Sequence, residues 1–214
     1  MDLENKISFK SAEILLNLGC VNFSPKKQFK LTSGKSSPVY CDCRRLISFP
    51  KERKKLIKYA IQKIKNSKKF NKINNIAGGE SAGIPFATLI AEKLRYPMIY
   101  IRKEKKKFGR TSQIEGLIKK NDKILLVEDL MTDGGSKVRF LEAVDKVNAE
   151  TELIFVIFNY GIKNKFFNFK KKKIDLICLT NWAALLKVGI TKKLINYSDL
   201  EIIKKFLFSI GVKS

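Results

Sequence analysis

Apolar residues fall in two rhythms along this chain of 214 residues. The helical rhythm comes first. Residues 7–18 read as an amphipathic helix closed by Gly19, and Pro50 opens a second helix running to about Ser67. That second helix carries Leu56, Ile57, Ala60, Ile61 and Ile64 on one face. Ile84–Leu94, Ser136–Val147 and 198–209 are predicted helices too. Between them lie short apolar runs of strand length: Ile73–Ala77, Met98–Arg102, Lys123–Glu128, Glu152–Phe158 and Ile174–Leu179. Residues 21–47 carry short strand and turn signals around Ser33-Gly34 and Ser37-Pro38. Lys103–Ser112 has no apolar period and is dense in cations, so it is expected to be a mobile loop. Strands alternating with helices predict an α/β fold around a mostly parallel sheet. No internal repeat or long linker interrupts the pattern.

The central run carries chemistry. Ile124, Leu125, Leu126 and Val127 lead into adjacent carboxylates, Glu128 and Asp129. Leu130 and Met131 follow, then Thr132-Asp133-Gly134-Gly135-Ser136, and then a predicted helix. A buried strand, an acid pair at its carboxyl end, a small-residue turn and a helix start form a ligand site in an open α/β sheet. Glycines let main-chain N–H groups approach a ligand, and a helix N-terminus suits a phosphate. Thr132 and Ser136 add hydroxyl donors. The acids repel a second phosphate. They suit sugar hydroxyls, or a Mg²⁺ bridging sugar and phosphate oxygens. A phosphorylated sugar fits: hydroxyls on Glu128 and Asp129, phosphate in the 132–136 turn. Neither G-x-x-x-x-G-K-[ST] nor a G-x-G-x-x-G after a strand occurs.

This segment resembles the phosphoribosyl-diphosphate (PRPP) signature of type I phosphoribosyltransferases. Three more segments narrow the likeness. Phe29–Pro50 (FKLTSGKSSPVYCDCRRLISFP) resembles the N-terminal region of the orotate phosphoribosyltransferases, Gly78–Pro85 (GGESAGIP) their pyrophosphate-side loop, and Arg102–Gly116 (RKEKKKFGRTSQIEG) their mobile catalytic loop. The matches keep the family's order from about residue 9 to 190. The resemblance implies one phosphoribosyltransferase domain over 1–214, with hood elements at about 1–48, a core at about 49–190 and a helical segment at about 191–214. It implies transfer of the phosphoribosyl group from PRPP to orotate in pyrimidine (UMP) biosynthesis, with Mg²⁺ held mainly by PRPP and water and no direct protein ligand, Glu128 and Asp129 standing nearby.

The same resemblance assigns residues. Arg102, Lys103 and Lys106 contact PRPP, with Lys106 the key catalytic cation and Asp129 the second catalytic residue. The PRPP set adds Glu128, Leu130, Met131, Thr132, Asp133, Gly134, Gly135 and Ser136. Gly79, Glu80 and Ser81 hold the pyrophosphate, Thr132 reaches the orotate, and Tyr40 is placed to stack on a flat pyrimidine. The loop is shared across subunits, so a homodimer is implied. Four family positions differ here. Phe108 stands where many relatives have histidine, Ala82 and Thr32 where some have lysine, and Asn159-Tyr160 where part of the family has arginine. The rival readings are a type I phosphoribosyltransferase for a purine or uracil, and a non-enzymatic PRPP sensor that binds nucleic acid.

Composition bounds these readings. The chain has no histidine, so no Ser-His-Asp triad or Cys-His dyad is available. Cys20, Cys41, Cys43 and Cys178 form no C-x-x-C pair and are expected to be reduced and mostly packed. The longest apolar stretch, Leu153–Phe158, is too short to span a bilayer, and the start, MDLENKISFK, lacks a signal-peptide core, so a cytoplasmic protein is expected. The net charge of +24 exceeds what a PRPP-like polyanion needs. Its lysines scatter through 51–69, 163–173 and 187–205 among Ile, Asn and Phe, as in a solvated surface from an AT-rich coding sequence. Nucleic-acid contact would fall on Phe166–Lys173, where aromatics stand among lysines.

Overall fold

A computed structural model describes residues 2–30, 34–104, 113–132, 134–162 and 166–212. Helix α1 (Leu3–Asn17) begins earlier than its periodicity predicts, because the Asp2 carboxylate caps the Asn5 N–H. Short strands β1 (Val21–Phe23), β2 (Phe29–Lys30), β3 (Ser36–Ser37) and β4 (Val39–Cys41) pair antiparallel as β1–β4 and β2–β3. A 3-10 helix at Cys43–Ser48 leads to α2 (Pro50–Lys65).

The core then alternates β5 (Asn75–Gly79), α3 (Gly83–Leu94), β6 (Met98–Ile101), β7 (Ile114–Glu115), β8 (Lys123–Met131), α4 (Gly135–Lys146), β9 (Glu150–Asn159), β10 (Phe166–Phe169) and β11 (Lys172–Asn181). Two helices follow, α5 (Trp182–Thr191) and α6 (Tyr197–Ser209). The large sheet has the order β10-β11-β9-β8-β5-β6-β7. Its inner five strands run parallel, and β7 and β10 are antiparallel edges.

Alternation along β8 sorts the layers. Leu125 and Val127 pack into the cluster built by α1, α2, α3 and α5, while Ile124 and Leu126 pack with Phe140, Leu141 and Val144 of α4. From β5 the chain crosses to β6 on one side, and from β8 it crosses to β9 on the other. The carboxyl ends of β5 and β8 therefore flank a topological switch point, where open α/β sheets bind ligands.

Four sequence expectations change. The acid pair does not end its strand: β8 continues to Met131, with Glu128 opposite Val156 and Leu130 opposite Phe158 in the ladder with β9. Gly78 and Gly79 lie inside β5 rather than in the turn after it. Helix α1 packs on α5 and β11, and among the described residues of segment 1–48 those that line the cavities described below begin at Lys35. The Phe166–Lys173 run is an edge hairpin: Phe167 is buried, and Lys170 and Lys173 lie over Phe169 and Phe166.

Candidate active site

The switch point opens into a cavity of about 330 Å³. The end of β5 contributes Glu80 and Ser81, and β8 with the following turn contributes Glu128, Asp129, Leu130 and Thr132. Helix α4 adds Ser136 and Lys137, the segment after β6 adds Lys103, and the 3-10 region adds Asp42 and Arg44.

Strand pleating separates the two acids. Glu128 shares the face of Leu126 and is buried beneath α4, where its Oε2 lies 2.7 Å from Lys137 Nζ. Asp129 points to the other face and is half-buried, within the electrostatic reach of Arg44. Burial raises the carboxyl pKa of each, and the Lys137 ammonium opposes that rise in both. Glu128 fits because of what lies beside it. A Cβ on Gly79 would collide with its carboxylate and the Phe140 ring, and a Cβ on Gly83 with the Val127 carbonyl. Gly79→Ala is thus expected to overpack this niche and destabilise the fold by about 1–3 kcal/mol. An unchanged urea midpoint and slope would show that the niche relaxes freely.

The turn after β8 is shaped by Gly134, whose φ of 89° suits glycine and whose α-carbon is covered by the Phe167 ring. Gly135 and Ser136 form the first turn of α4. Met131 is fully buried, its carbonyl accepting the Tyr160 N–H at 2.8 Å, so its side chain faces the core and not the cavity. Asp133 and Lys106 lie outside the described residues, as do Thr32 and Phe108.

On the β5 side, the Glu80 carboxylate accepts the Lys103 N–H at 2.7 Å. That acid anchors the base of the cationic loop while still lining the cavity. The Arg102 guanidinium lies 3.9 Å from Glu115 on β7.

A second cavity of about 390 Å³ shares Cys41 and Thr132 with the first. Its walls include Tyr40, Tyr160, Ile162 and, from α6, Phe206 and Ile210. Ser37 shapes the approach to Tyr40, its hydroxyl donating to the Val39 carbonyl at 2.7 Å. Tyr40 is 40% exposed, which leaves its ring available to a flat ligand. A larger groove of about 790 Å³ between α2 and α3 is rimmed by lysines and lacks both the acids and the glycine turn.

Sequence reasoning missed Lys137, although one signal was there. A lysine in the first turn of a helix opposes the macrodipole and calls for a carboxylate partner. It left Arg44 and Arg45 without positions. Arg44 lines the first cavity and pairs with Asp42 at 2.6 Å, holding that carboxyl below its usual range, whereas Arg45 donates to the Leu18 carbonyl. The cysteines are free, and burial pushes Cys20 up to about 12 and raises Cys178 as well, which suits packing rather than nucleophilic work.

Comparison with known proteins agrees with this layout. The phosphoribosyl transferase domain family matches residues 48–185. Orotate phosphoribosyltransferase of Dinoroseobacter shibae is 48% identical over 152 residues, 71% of this chain and 67% of the relative. That of Rhizobium rhizogenes is 40% identical over 197 residues, 92% of this chain and 85% of the relative. Leishmania donovani UMP synthase superposes with a TM-score of 0.77 at 27% identity over 94% of this chain, which spans 42% of that one. The chain belongs to the phosphoribosyl transferase domain family, among its orotate phosphoribosyltransferases.

Proposed function

We propose that this chain catalyses the reaction of orotate with PRPP to give orotidine 5′-monophosphate and pyrophosphate, a step of pyrimidine biosynthesis. The observation that carries the reading is the pair of joined cavities. One has an acid and a glycine turn for a phosphorylated ribose, the other has Tyr40 for a flat ring, and Thr132 lies in both linings. The reacting carbon of the sugar then sits near their junction. A ring nitrogen of orotate forms the new bond there while the bond to pyrophosphate breaks. Orotate is already an anion, so the step needs little help from a base, consistent with a chain without histidine.

In this reading the 132–136 turn and the α4 N-terminus bind the 5′-phosphate through N–H groups. Asp129 accepts the ribose hydroxyls, and Gly79, Glu80 and Ser81 border the pyrophosphate, with Lys103 beside them. Closure of the 102–113 loop brings cations to the departing pyrophosphate and excludes water.

Among the described residues no group of three or more His, Cys, Asp or Glu is arranged to hold a metal. The hard carboxylate oxygens of the cavity fit a Mg²⁺ ion coordinated mostly by PRPP and water. Such an ion would neutralise the diphosphate as it leaves.

The resemblance of the 102–116 segment to the family's mobile loop supports a homodimer in which the loop serves the neighbouring site. No helix among the described residues is long and apolar enough to cross a membrane. Free thiols are in keeping with a cytoplasmic enzyme. The deciding assay is loss of orotate absorbance with PRPP and Mg²⁺, against uracil, adenine and hypoxanthine at the same PRPP concentration. Turnover of orotate alone is expected. Preference for another base would move the chain to a different phosphoribosyltransferase, and a salt-sensitive shift of RNA or DNA without turnover would favour a PRPP sensor.

A further inference from the structure

Lys137 has no role in the reading above, yet it is the most constrained cation of the site. Its ammonium is almost fully buried, and so is the carboxylate it meets. Nζ lies 2.7 Å from Glu128 Oε2, and it donates to the Leu130 carbonyl at 2.6 Å and the Ser136 hydroxyl at 3.2 Å. These oxygens belong to the end of β8 and the start of α4. The side chain therefore reaches back beneath the turn and ties its two ends together. The Glu128 carboxylate also packs closely on Gly79 and Gly83, where an added Cβ would collide with it.

A buried ion pair is a poor source of stability, since well-packed apolar residues of similar volume often do as well or better. Stability alone thus gives little reason for a lysine to be buried here. The charge balance gives one. Without Lys137, Glu128 and Asp129 would present two negative charges beside a turn that must accept a polyanion. With it, the three groups sum to one, and that one belongs to Asp129. Among the described residues Lys103, at the base of the loop, also acts on Glu128, and it is exposed.

We infer that Lys137 is a positioning residue for PRPP: its ammonium ties the end of β8 to the start of α4 and cancels the Glu128 charge, leaving Asp129 to meet the sugar. The inference rests on the reading of this turn as the PRPP site, and the test separates the two. Wild type, Lys137→Met and Lys137→Arg are compared by steady-state kinetics with each substrate varied. Lys137→Met is expected to raise the KM for PRPP about tenfold or more, with the KM for orotate within about threefold. Lys137→Arg, which keeps the charge and the donors, should recover part of the loss. A purely structural role predicts instead that both KM values drift together with a fall in melting temperature.

Lys137→Met leaves a buried carboxylate unpaired, so it can fail to fold. In that case PRPP binding is measured by calorimetry on Glu128→Gln and on the double variant Glu128→Gln/Lys137→Met. Any contact of Glu128 with the ribose cancels in that comparison. The double variant should bind PRPP about tenfold more weakly than Glu128→Gln. Equal affinities, or a PRPP KM within twofold of wild type in Lys137→Met, would overturn the role of Lys137. A wild-type protein that neither binds nor consumes PRPP would instead overturn the reading of the site.

Discussion

Lys106→Ala should lower kcat by about 10²–10³, the usual cost of removing a preorganised charge from a developing anion. The loop that bears Lys106 has a fixed stem. The Arg102 N–H donates to the Gln113 carbonyl at 2.9 Å, and the Gln113 side-chain amide donates back to the Arg102 carbonyl at 2.9 Å. The Lys103 N–H is held by Glu80 at the cavity wall. If the lysine acts as the leaving group departs, kcat should fall far more than PRPP binding weakens. The urea midpoint should not change if the role of Lys106 is catalytic and not structural. Wild-type turnover in the variant would remove Lys106 from the mechanism.

The same variant tests loop sharing. If the loop serves the partner's site, a heterodimer of Lys106→Ala and Asp129→Asn subunits holds one site with both substitutions and one with neither. Random exchange of equal amounts makes about half the dimers mixed, so activity should return to about a quarter of wild type. Two inactive proteins that stay inactive after mixing would argue for a loop acting within its own subunit.

How far the sequence could be read depended on where the decisive contacts came from. The inner strands were legible because parallel strands covered on both faces are continuous apolar runs, as Leu125–Val127 and Leu153–Phe158 are. Their ends were not. Glu128 and Asp129 look like terminators in one dimension, but the ladder with β9 carries β8 past them to Met131. Helix α5 escaped notice because Trp182, Ala184, Leu185, Leu186 and Val188 are all buried, which leaves no amphipathic period to detect. The two-residue strand β7 and the edge strand β10 draw their pairing from neighbours distant in pattern, not from their own residues.

The glycine turn was legible as a local device, chain-adjacent to the strand it follows. The side-chain partners were not. The Lys137–Glu128 pair requires α4 to fold back over β8, and the second cavity requires Phe206 and Ile210 of α6 to reach Tyr40 and Thr132. What the sequence presented as an acid doublet is, after pleating, one carboxylate turned beneath α4 and one turned to the opposite face.

That division predicts unequal consequences for the two acids, and Asp129→Asn is the sharper case. Asp129 lines the cavity on the face opposite Glu128, with Arg44 and Lys103 among the other lining residues. A carboxylate accepts from two ribose hydroxyls at once. The isosteric amide keeps one oxygen, turns the other acceptor into a donor and loses the charge. Hydrogen bonds to a charged group are worth about 1.5–3 kcal/mol, so kcat/KM for PRPP should fall between about tenfold and a few hundredfold. In the proposed reading orotate meets Tyr40 and Thr132 in the adjoining cavity, so the preference for orotate over uracil should not move. Burial already raises the pKa of Asp129, so a neutral side chain there removes a desolvation cost, and the variant should be at least as stable as wild type. Loss of PRPP efficiency without loss of stability or base preference therefore marks a ligand-facing carboxylate. Unchanged PRPP kinetics would take Asp129 out of the site, and a collapse of stability would make it a structural acid.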